Sequence, residues 1–180
     1  MPVDSSWLSL TERPGWLRLH AFKPLSPDNL LKAGNTLTQR SMRTSTNEVI
    51  IKLDLAGMAD GQKAGLCHFS SPHYSALGVS QPGATRTLEF STGGRVTAGP
   101  VLIGGDLWLK STWGLDGQSH YAYSLDGKTY TGFGEPYQLQ WGSYRGDRIG
   151  FYSYNNQADA GYIDVDSFHY DYNGPQNRKK

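Results

Sequence analysis

The sequence has very little cysteine and no long hydrophobic run, and both absences restrict what the chain can be. Its single cysteine, Cys67, excludes an intrachain disulfide framework, and its apolar surroundings favour a buried thiol over a nucleophile. No run approaches the roughly 20 apolar residues that a membrane-spanning helix needs. The first residues carry neither a basic region nor an apolar core, so we expect no signal peptide.

An excess of charge of either sign is also absent. The chain has 17 Lys and Arg against 16 Asp and Glu, and its formal net charge is +1. Such a balance creates no field that would attract nucleic acid or a membrane surface, so neither is expected as a partner. A neutral ligand suits this chain better.

The signatures of common catalytic and metal sites are missing as well. The 5 histidines show no metal-ligand spacing, and no Gly-x-Ser-x-Gly elbow, phosphate-binding loop or dinucleotide fingerprint occurs. Asp164 and Asp166 would lie about 6.6 Å apart on one face of an extended strand, a separation within the range of an inverting glycosidase pair. We favour a structural role for both carboxylates. They are also the candidate ligands for a calcium ion, although no cofactor is required by this sequence.

Glycine and aromatic residues are abundant, and they indicate an all-β chain. There are 22 glycines and an aromatic fraction of 12%, a combination typical of short strands and tight turns. The clearest alternation runs from Asn47 to Leu55, where every second residue from Val49 is apolar. Further extended segments are predicted at 7–10, 16–20, 36–40, 64–69, 74–79, 85–90, 107–113, 119–130, 148–155 and 161–170.

About a dozen short strands separated by turn residues predict a jelly-roll β-sandwich of two antiparallel sheets. The length fits one domain, which we place at residues 1–172, followed by a flexible polar tail at 173–180. At most one helical turn is expected, between Lys23 and Gly34. The Asp126-Gly127 pair predicts a type I′ turn in the hairpin at 119–130.

The strand near the C-terminus predicts a sheet with two different faces. In residues 148–155, alternation places Ile149 and Phe151 on one face and Tyr152 and Tyr154 on the opposite face. We expect the first face to be core. The second face combines aromatic rings with hydroxyl groups, so we expect function there.

Several motifs, taken in order along the chain, resemble a known domain. They are Leu8–Leu19 with its Thr-Glu-Arg-Pro-Gly-Trp run, Asn35–Arg40, Ala64–Leu66, Tyr123–Gly127, Arg148–Gly150 and Asp164–Tyr170. This ordered series resembles the concanavalin A-like domain that follows the catalytic propeller in family 43 glycoside hydrolases, which are β-xylosidases and α-arabinofuranosidases. The resemblance covers nearly the whole chain.

The resemblance implies a domain that is not an enzyme by itself, because the family's catalytic acids lie in the propeller. It implies packing on that propeller, with one loop closing over the active site, and binding of xylan or xylooligosaccharides as a carbohydrate-binding module. Tyr144 corresponds best to the aromatic residue of the loop. The implied partners are a xylan-type saccharide and a glycoside hydrolase catalytic domain.

Recognition of sugar needs aromatic platforms for C–H faces beside polar groups for hydroxyls. A few ring contacts at about 0.5–1.5 kcal/mol each would give millimolar to sub-millimolar binding. Many rings must instead fill the core of a sandwich, and there we expect Trp7, Trp16, Tyr121, Tyr123, Phe151 and Phe168. The candidates for stacking are Trp108, Trp113, Trp141, Tyr144, Tyr152 and Tyr154, and those for hydroxyl groups are Gln118, Arg145 and Asn155.

Two other interpretations stay open at this point. One is a purely structural domain that packs on the propeller and completes the rim of its active site, for which an exposed apolar patch is expected. The other is a free-standing glycosidase that uses Asp164 and Asp166.

Overall fold

The computed structural model describes residues 7–70, 73–140 and 147–174. These residues form two antiparallel sheets, which confirms the predicted all-β sandwich. Sheet A contains, in spatial order, β1 (Leu8–Ser9), β2 (Leu17–His20), β14 (Tyr162–Tyr172), β4 (Asn47–Asp54), β9 (Asp106–Trp113), β10 (Gln118–Ser124) and β11 (Thr131–Gly132), with β12 (Tyr137–Gln138) beside β10. Sheet B contains β3 (Thr36–Arg40), β13 (Arg148–Asn155), β5 (Gln62–Ser70), β6 (His73–Gln81), β7 (Thr87–Thr92) and β8 (Arg95–Val101).

The core lies between the two sheets and is built from alternate residues of each strand. In β4, Val49, Ile51 and Leu53 are fully buried, as the alternation predicts, while their neighbours point to the outer face of sheet A. Ile149 and Phe151 of β13 join the same apolar cluster from sheet B. Burial of each such side chain contributes about 1.5–3 kcal/mol, so the period of two fixes the register of every core strand.

One local prediction is wrong, and some strands were not predicted. The Asp126-Gly127 pair does not form a type I′ turn, since only Gly127 of the pair has a positive φ, +69°. Instead, the Asp126 carboxylate accepts hydrogen bonds from the backbone N–H groups of Lys128 and Thr129, both at 2.8 Å. These bonds support a longer loop, so β10 pairs with β11 beyond Tyr130.

Strand β8 is the second difference, because no strand was predicted at Arg95–Val101. Its side chains are mostly exposed on both faces, so the segment carries no alternation of apolar and polar residues. Pro100 fits only because β8 is an edge strand of sheet B.

The two-residue strands β11 and β12 were not predicted either, whereas the other strands lie close to the predicted segments. A single 3₁₀ turn, Leu30–Lys32, lies in the expected interval. No helix among the described residues has the length and apolar character needed to cross a membrane. Most of the expected polar tail, residues 175–180, lies outside the described residues.

Candidate functional site

The part of sheet B's outer face that carries Tyr152 and Tyr154 is covered, which corrects the prediction for both residues. These side chains are only 3% and 5% exposed, and their rings stack with centroids 5.8 Å apart. Leu30 of the 3₁₀ turn packs on them. The Tyr152 hydroxyl lies over Gly78, where an added Cβ would come within 2.7 Å of it. Rings enclosed in this way have no face left for a sugar.

A clamp of polar groups fastens this cover. The Lys63 ammonium lies 3.1 Å from Asp28 and 2.9 Å from Glu89, and the Tyr74 hydroxyl donates to the Asp28 carbonyl at 3.2 Å. Asn29 caps the 3₁₀ turn by accepting from the Leu31 N–H at 3.1 Å. The segment before β3 is therefore held on sheet B by contacts with β5, β6 and β7.

Trp113 and Asn155, two other predicted site residues, are structural. Trp113 is 4% exposed, donates its indole N–H to the Met42 carbonyl at 2.9 Å, and packs edge-on against His68. Asn155 is fully buried and donates its amide to the carbonyls of Asp60 and Ala160. The Trp113 ring therefore cannot stack on a sugar, and the Asn155 amide cannot bond a sugar hydroxyl.

Three predicted residues, Trp141, Tyr144 and Arg145, lie outside the described residues, in the interval between Gln140 and Asp147. Their proposed roles remain predictions.

An open groove of about 910 Å³ lies where sheet A ends. One part of its lining comes from the outer face of the sheet, and the other from loops beyond the last paired residues. The predicted site residue Gln118 lines this groove, and Trp113 forms part of its wall. Its lining includes Glu48, Thr112, Leu115, Asp116, Gln118, His120, Tyr172 and Asn173.

The groove combines exposed apolar surface with free polar groups. Leu115 is 61% exposed and Tyr172 is 43% exposed, and the Tyr172 ring is fixed by Tyr170, with ring centroids 5.2 Å apart. The side chains of Gln118 and His120 are exposed and form no hydrogen bond with the described part of the chain. An apolar platform beside unsatisfied donors and acceptors is the chemistry that a neutral polyhydroxylated ligand requires.

Sequence reasoning missed Tyr172. Alternation along β14 places it on the same face as Phe168 and Tyr170, which pack on the core, so the pattern alone assigns it to the interior. The position of Tyr172 in the last pair between β14 and β4, opposite Asn47, leaves its ring at the open end of the sheet. No signal in the sequence marks that end.

Asp164 does not have the environment of a catalytic acid. It is 3% exposed and accepts hydrogen bonds from Arg18 at 2.8 and 3.0 Å and from Arg13 at 3.0 Å. Burial raises the pKa of its carboxyl, but the bonds from Arg18 and Arg13 outweigh that effect and hold the pKa below the ordinary value. An ionised carboxylate between two guanidinium groups cannot donate a proton to a leaving group.

Asp166 lies apart from Asp164 because a β-bulge interrupts β14 between Val165 and Ser167. Its carboxylate pairs with Lys52 at 3.1 Å. Both candidate calcium ligands therefore face cationic side chains. Among the described residues, no group of three or more His, Cys, Asp or Glu side chains is arranged to hold a metal ion.

Trp108 lies on the outer face of sheet A and is partly exposed. Its ring lies against Gly127, and the Lys52 ammonium lies 5.3 Å from the ring centroid. Trp16 shares this face, which corrects its assignment to the core. The Trp16 centroid is 5.0 Å from the Lys52 ammonium and 3.7 Å from the Arg13 guanidinium.

A buried carboxyl that the sequence analysis did not single out lies at the same end of the sandwich as the groove. Asp147 is 1% exposed, and within the described residues no hydrogen bond of normal geometry reaches either of its oxygens. Burial raises its pKa to about 6, although the nearby Gln140 N–H and His73 act in the opposite direction. The hydroxyl of neighbouring Tyr137 is also buried and makes no hydrogen bond of normal geometry with the described part of the chain, and burial raises the pKa of that group.

Comparisons with known proteins agree on one kind of domain. The family profile described as the beta-xylosidase C-terminal concanavalin A-like domain matches residues 1–171. A β-xylosidase of Formosa agariphila is 37% identical over an alignment of 195 residues, which covers 97% of this chain and 32% of that protein. The chain thus spans about a third of the length of this curated relative.

Solved structures show the same fold. A bifunctional GH43-CE protein of Bacteroides eggerthii superposes with a TM-score of 0.84 at 24% identity, covering 96% of this chain and 23% of that one. A GH43 glycoside hydrolase engineered to display both endo-xylanase and exo-arabinofuranosidase activity gives a TM-score of 0.83 at 26% identity, with 94% and 37% coverage. In each case the matched region is a minor part of a longer protein.

Proposed function

Because this chain belongs to the family of β-xylosidase C-terminal concanavalin A-like domains, we propose that it is the accessory domain of a family 43 glycoside hydrolase and binds xylan-type saccharide. The observation that carries the binding part of the proposal is the open groove at the end of sheet A. Cleavage of glycosidic bonds belongs, in this proposal, to a catalytic domain outside the present chain.

The lining of the groove fits a pentose chain. Tyr172 and Leu115 offer apolar surface to C–H faces, and the Gln118 amide and His120 imidazole can exchange hydrogen bonds with hydroxyls. The backbone on one side is held in place, since the Asp116 carboxylate accepts from the Gln118 N–H at 3.1 Å and the Asp116 carbonyl accepts from the Gln138 amide at 3.0 Å. A loop fixed in this way loses little freedom when ligand binds.

The strength of such binding follows from the small number of contacts. One aromatic contact contributes about 0.5–1.5 kcal/mol, and each net hydrogen bond about 0.5–1.5 kcal/mol. Four or five such contacts correspond to about −4 to −6 kcal/mol, a Kd between roughly 1 mM and 50 μM. That range suits a domain that attaches reversibly to a polymer.

Isothermal titration calorimetry with xylotriose tests the proposal. We expect measurable binding by the 180-residue chain, and a loss of affinity of about threefold to tenfold for Tyr172→Ala, which removes one ring contact. Leu115→Ala should weaken binding by a smaller factor. Leu125→Ala is the matched control, since Leu125 is 52% exposed and does not line the groove. Absence of binding at millimolar xylotriose, or equal binding by Tyr172→Ala and the wild type, would contradict the proposal.

A second role is favoured by a different observation. Val96 and Val101 of β8 are 55% and 60% exposed, and Ile103 just after the strand is 93% exposed. Exposed apolar side chains that recur along one edge of a sheet suit a contact with another protein surface. We propose that this edge packs on the catalytic domain, which is the structural role that the family resemblance implies.

A further inference from the structure

The groove does not end at the edge of sheet A, because its lining continues onto the outer face of the sheet. Glu48 of β4 and Thr112 of β9 are opposite each other in the register and both line the groove. Two residues further along, Ile50 pairs with Lys110, and two further again Lys52 pairs with Trp108. At about 3.4 Å per residue, the surface from Glu48 to Lys52 extends about 14 Å beyond the groove.

Aromatic rings and lysines alternate along this surface, which we call the sheet A track and define as Tyr130, Lys110, Trp108 and Lys52. The Lys110 ammonium lies 4.2 Å from the centroid of the Tyr130 ring, and the Lys52 ammonium lies 5.3 Å from that of Trp108. Contacts of this kind hold both rings in place. All four side chains are partly exposed, so a ligand lying on the sheet would touch them.

Polar groups of the two rings are free to bind a ligand. Within the described residues, the indole N–H of Trp108 and the hydroxyl of Tyr130 have no hydrogen-bond partner. Both groups are donors that suit sugar hydroxyls. By contrast, the buried Trp113 uses its indole N–H to bond the Met42 carbonyl. The track therefore offers apolar ring surface together with unsatisfied donors, as the groove does.

The charges of the track favour a neutral ligand. Lys52 pairs with Asp166 at 3.1 Å and lies 3.8 Å from Asp106, and Lys110 pairs with Glu48 at 3.5 Å. The lysines are thus offset by carboxylates on the same face. A polyanion would meet these carboxylates as well as the ammonium groups, so no net attraction supports its binding.

We propose that the sheet A track is a second saccharide subsite that is continuous with the groove, so that the domain binds an internal stretch of a neutral xylan-type chain rather than only a short oligosaccharide. This inference rests on the proposed function of the groove. It assigns to Trp108 and Tyr130 the added affinity for long chains. Contacts from two connected subsites to one ligand add to each other without the full cost of a second association.

Calorimetric titration with xylotriose and xylohexaose separates the two subsites. The wild-type chain should bind xylohexaose about threefold to tenfold more tightly than xylotriose, the gain that one or two additional ring contacts give. Trp108→Ala should reduce xylohexaose affinity to near the xylotriose value and leave xylotriose binding unchanged. Tyr130→Ala should act in the same direction and provides a second variant if Trp108→Ala does not fold, which circular dichroism would reveal. Leu25→Ala is the control, since Leu25 is 89% exposed and lies outside both the groove and the sheet A track.

The possible outcomes distinguish this inference from the function on which it rests. Equal wild-type affinities for xylotriose and xylohexaose, with Tyr172→Ala still weakening both, would overturn the track and leave the groove intact. Failure of the wild type to bind either sugar would overturn both. A uronic acid-substituted xylan that binds at least tenfold more tightly than neutral arabinoxylan, and loses this advantage in 0.5 M salt, would overturn the assignment of a neutral ligand.

Discussion

At the scale of single residues, the environment of Asp147 differs strongly from that of an exposed carboxyl. It is enclosed at one end of the sandwich, no hydrogen bond of normal geometry reaches its oxygens within the described residues, and burial raises its pKa from 3.8 to about 6. Folding therefore favours its protonated form. The fold is most stable with respect to this group below about pH 4, and that stability is lost as the pH rises through 6.

Replacement of this carboxyl tests the assignment. Asp147→Asn removes the charge but keeps the shape, so we expect it to stabilise the protein at pH 7.5 by about 2–3 kcal/mol, since one pKa unit corresponds to about 1.4 kcal/mol. At pH 4 the gain should nearly vanish. Urea denaturation of both proteins at the two pH values measures the difference directly.

The comparison with the wild type isolates Asp147 from other titrating groups. Burial lowers the pKa of His68 to about 3, so this group reduces the stability of the fold as the pH falls. His68 is present in both proteins, so its effect cancels in the comparison. A stability difference that is the same at pH 4 and pH 7.5 would show that folding does not raise the pKa of Asp147.

The candidate site shows which features of single residues can be predicted from the sequence and which cannot. Gln118, a candidate for binding sugar hydroxyls, lies in the lining of the groove with an exposed side chain, and its role there stays a prediction. Tyr152 and Tyr154 were placed on the correct face, but alternation does not show what covers that face. Their cover includes Leu30 and Asp28, which are more than a hundred positions away in sequence.

At the scale of secondary-structure elements, two glycines of sheet B determine how closely the Tyr152 ring packs on the sheet. Gly65 of β5 and Gly78 of β6 face each other in the register, and the Tyr152 side chain crosses them. A Cβ on Gly78 would collide with the Ala64 carbonyl and would lie 2.7 Å from the Tyr152 hydroxyl. The pair of glycines thus makes room for a ring that lies flat on the sheet.

Substitution of one of these glycines should therefore be costly. We expect Gly78→Ala to destabilise the fold by about 2–3 kcal/mol, because both backbone and ring must shift to accept the methyl group. Gly34→Ala is the control, since its Cβ would meet only the Trp7 ring at 3.8 Å, an ordinary contact. Thermal denaturation compares the two variants. Equal melting temperatures would show that the Tyr152 ring can move aside at no cost.

Strands differed in how well the sequence predicted them, for a physical reason. β4 has one face in the core and one outside, so its apolar residues repeat every second position. β8 is exposed on both faces, and β11 and β12 have only two residues each, so none of the three has a pattern to detect. The bulge in β14 depends on pairing with β4, which a single segment does not encode.

At the scale of the whole molecule, the two proposed roles use different surfaces. The groove and the track belong to sheet A, whereas the exposed apolar edge at β8 belongs to sheet B. Under these proposals, binding of saccharide and packing on a catalytic domain do not compete for one surface. This separation also lets a single substitution remove one role and keep the other.

An association experiment tests the second role. We expect the 180-residue chain to bind a separately expressed family 43 catalytic propeller, and Ile103→Asp to weaken that complex at least tenfold, because it places a charge in an apolar contact. Leu25→Asp is the matched control, since Leu25 is 89% exposed against 93% for Ile103. Size-exclusion chromatography and calorimetry give the affinities. A complex that tolerates Ile103→Asp would place the contact elsewhere.

The clamp formed by Lys63, Asp28 and Glu89 has a mechanical consequence. It keeps the Tyr152 and Tyr154 rings covered on the sheet B side, so in the proposed function a polysaccharide strand lies along sheet A. A domain that binds a polysaccharide through one face keeps a constant orientation relative to it. Any enzyme joined to it would then work at a fixed height and angle above the strand that it degrades.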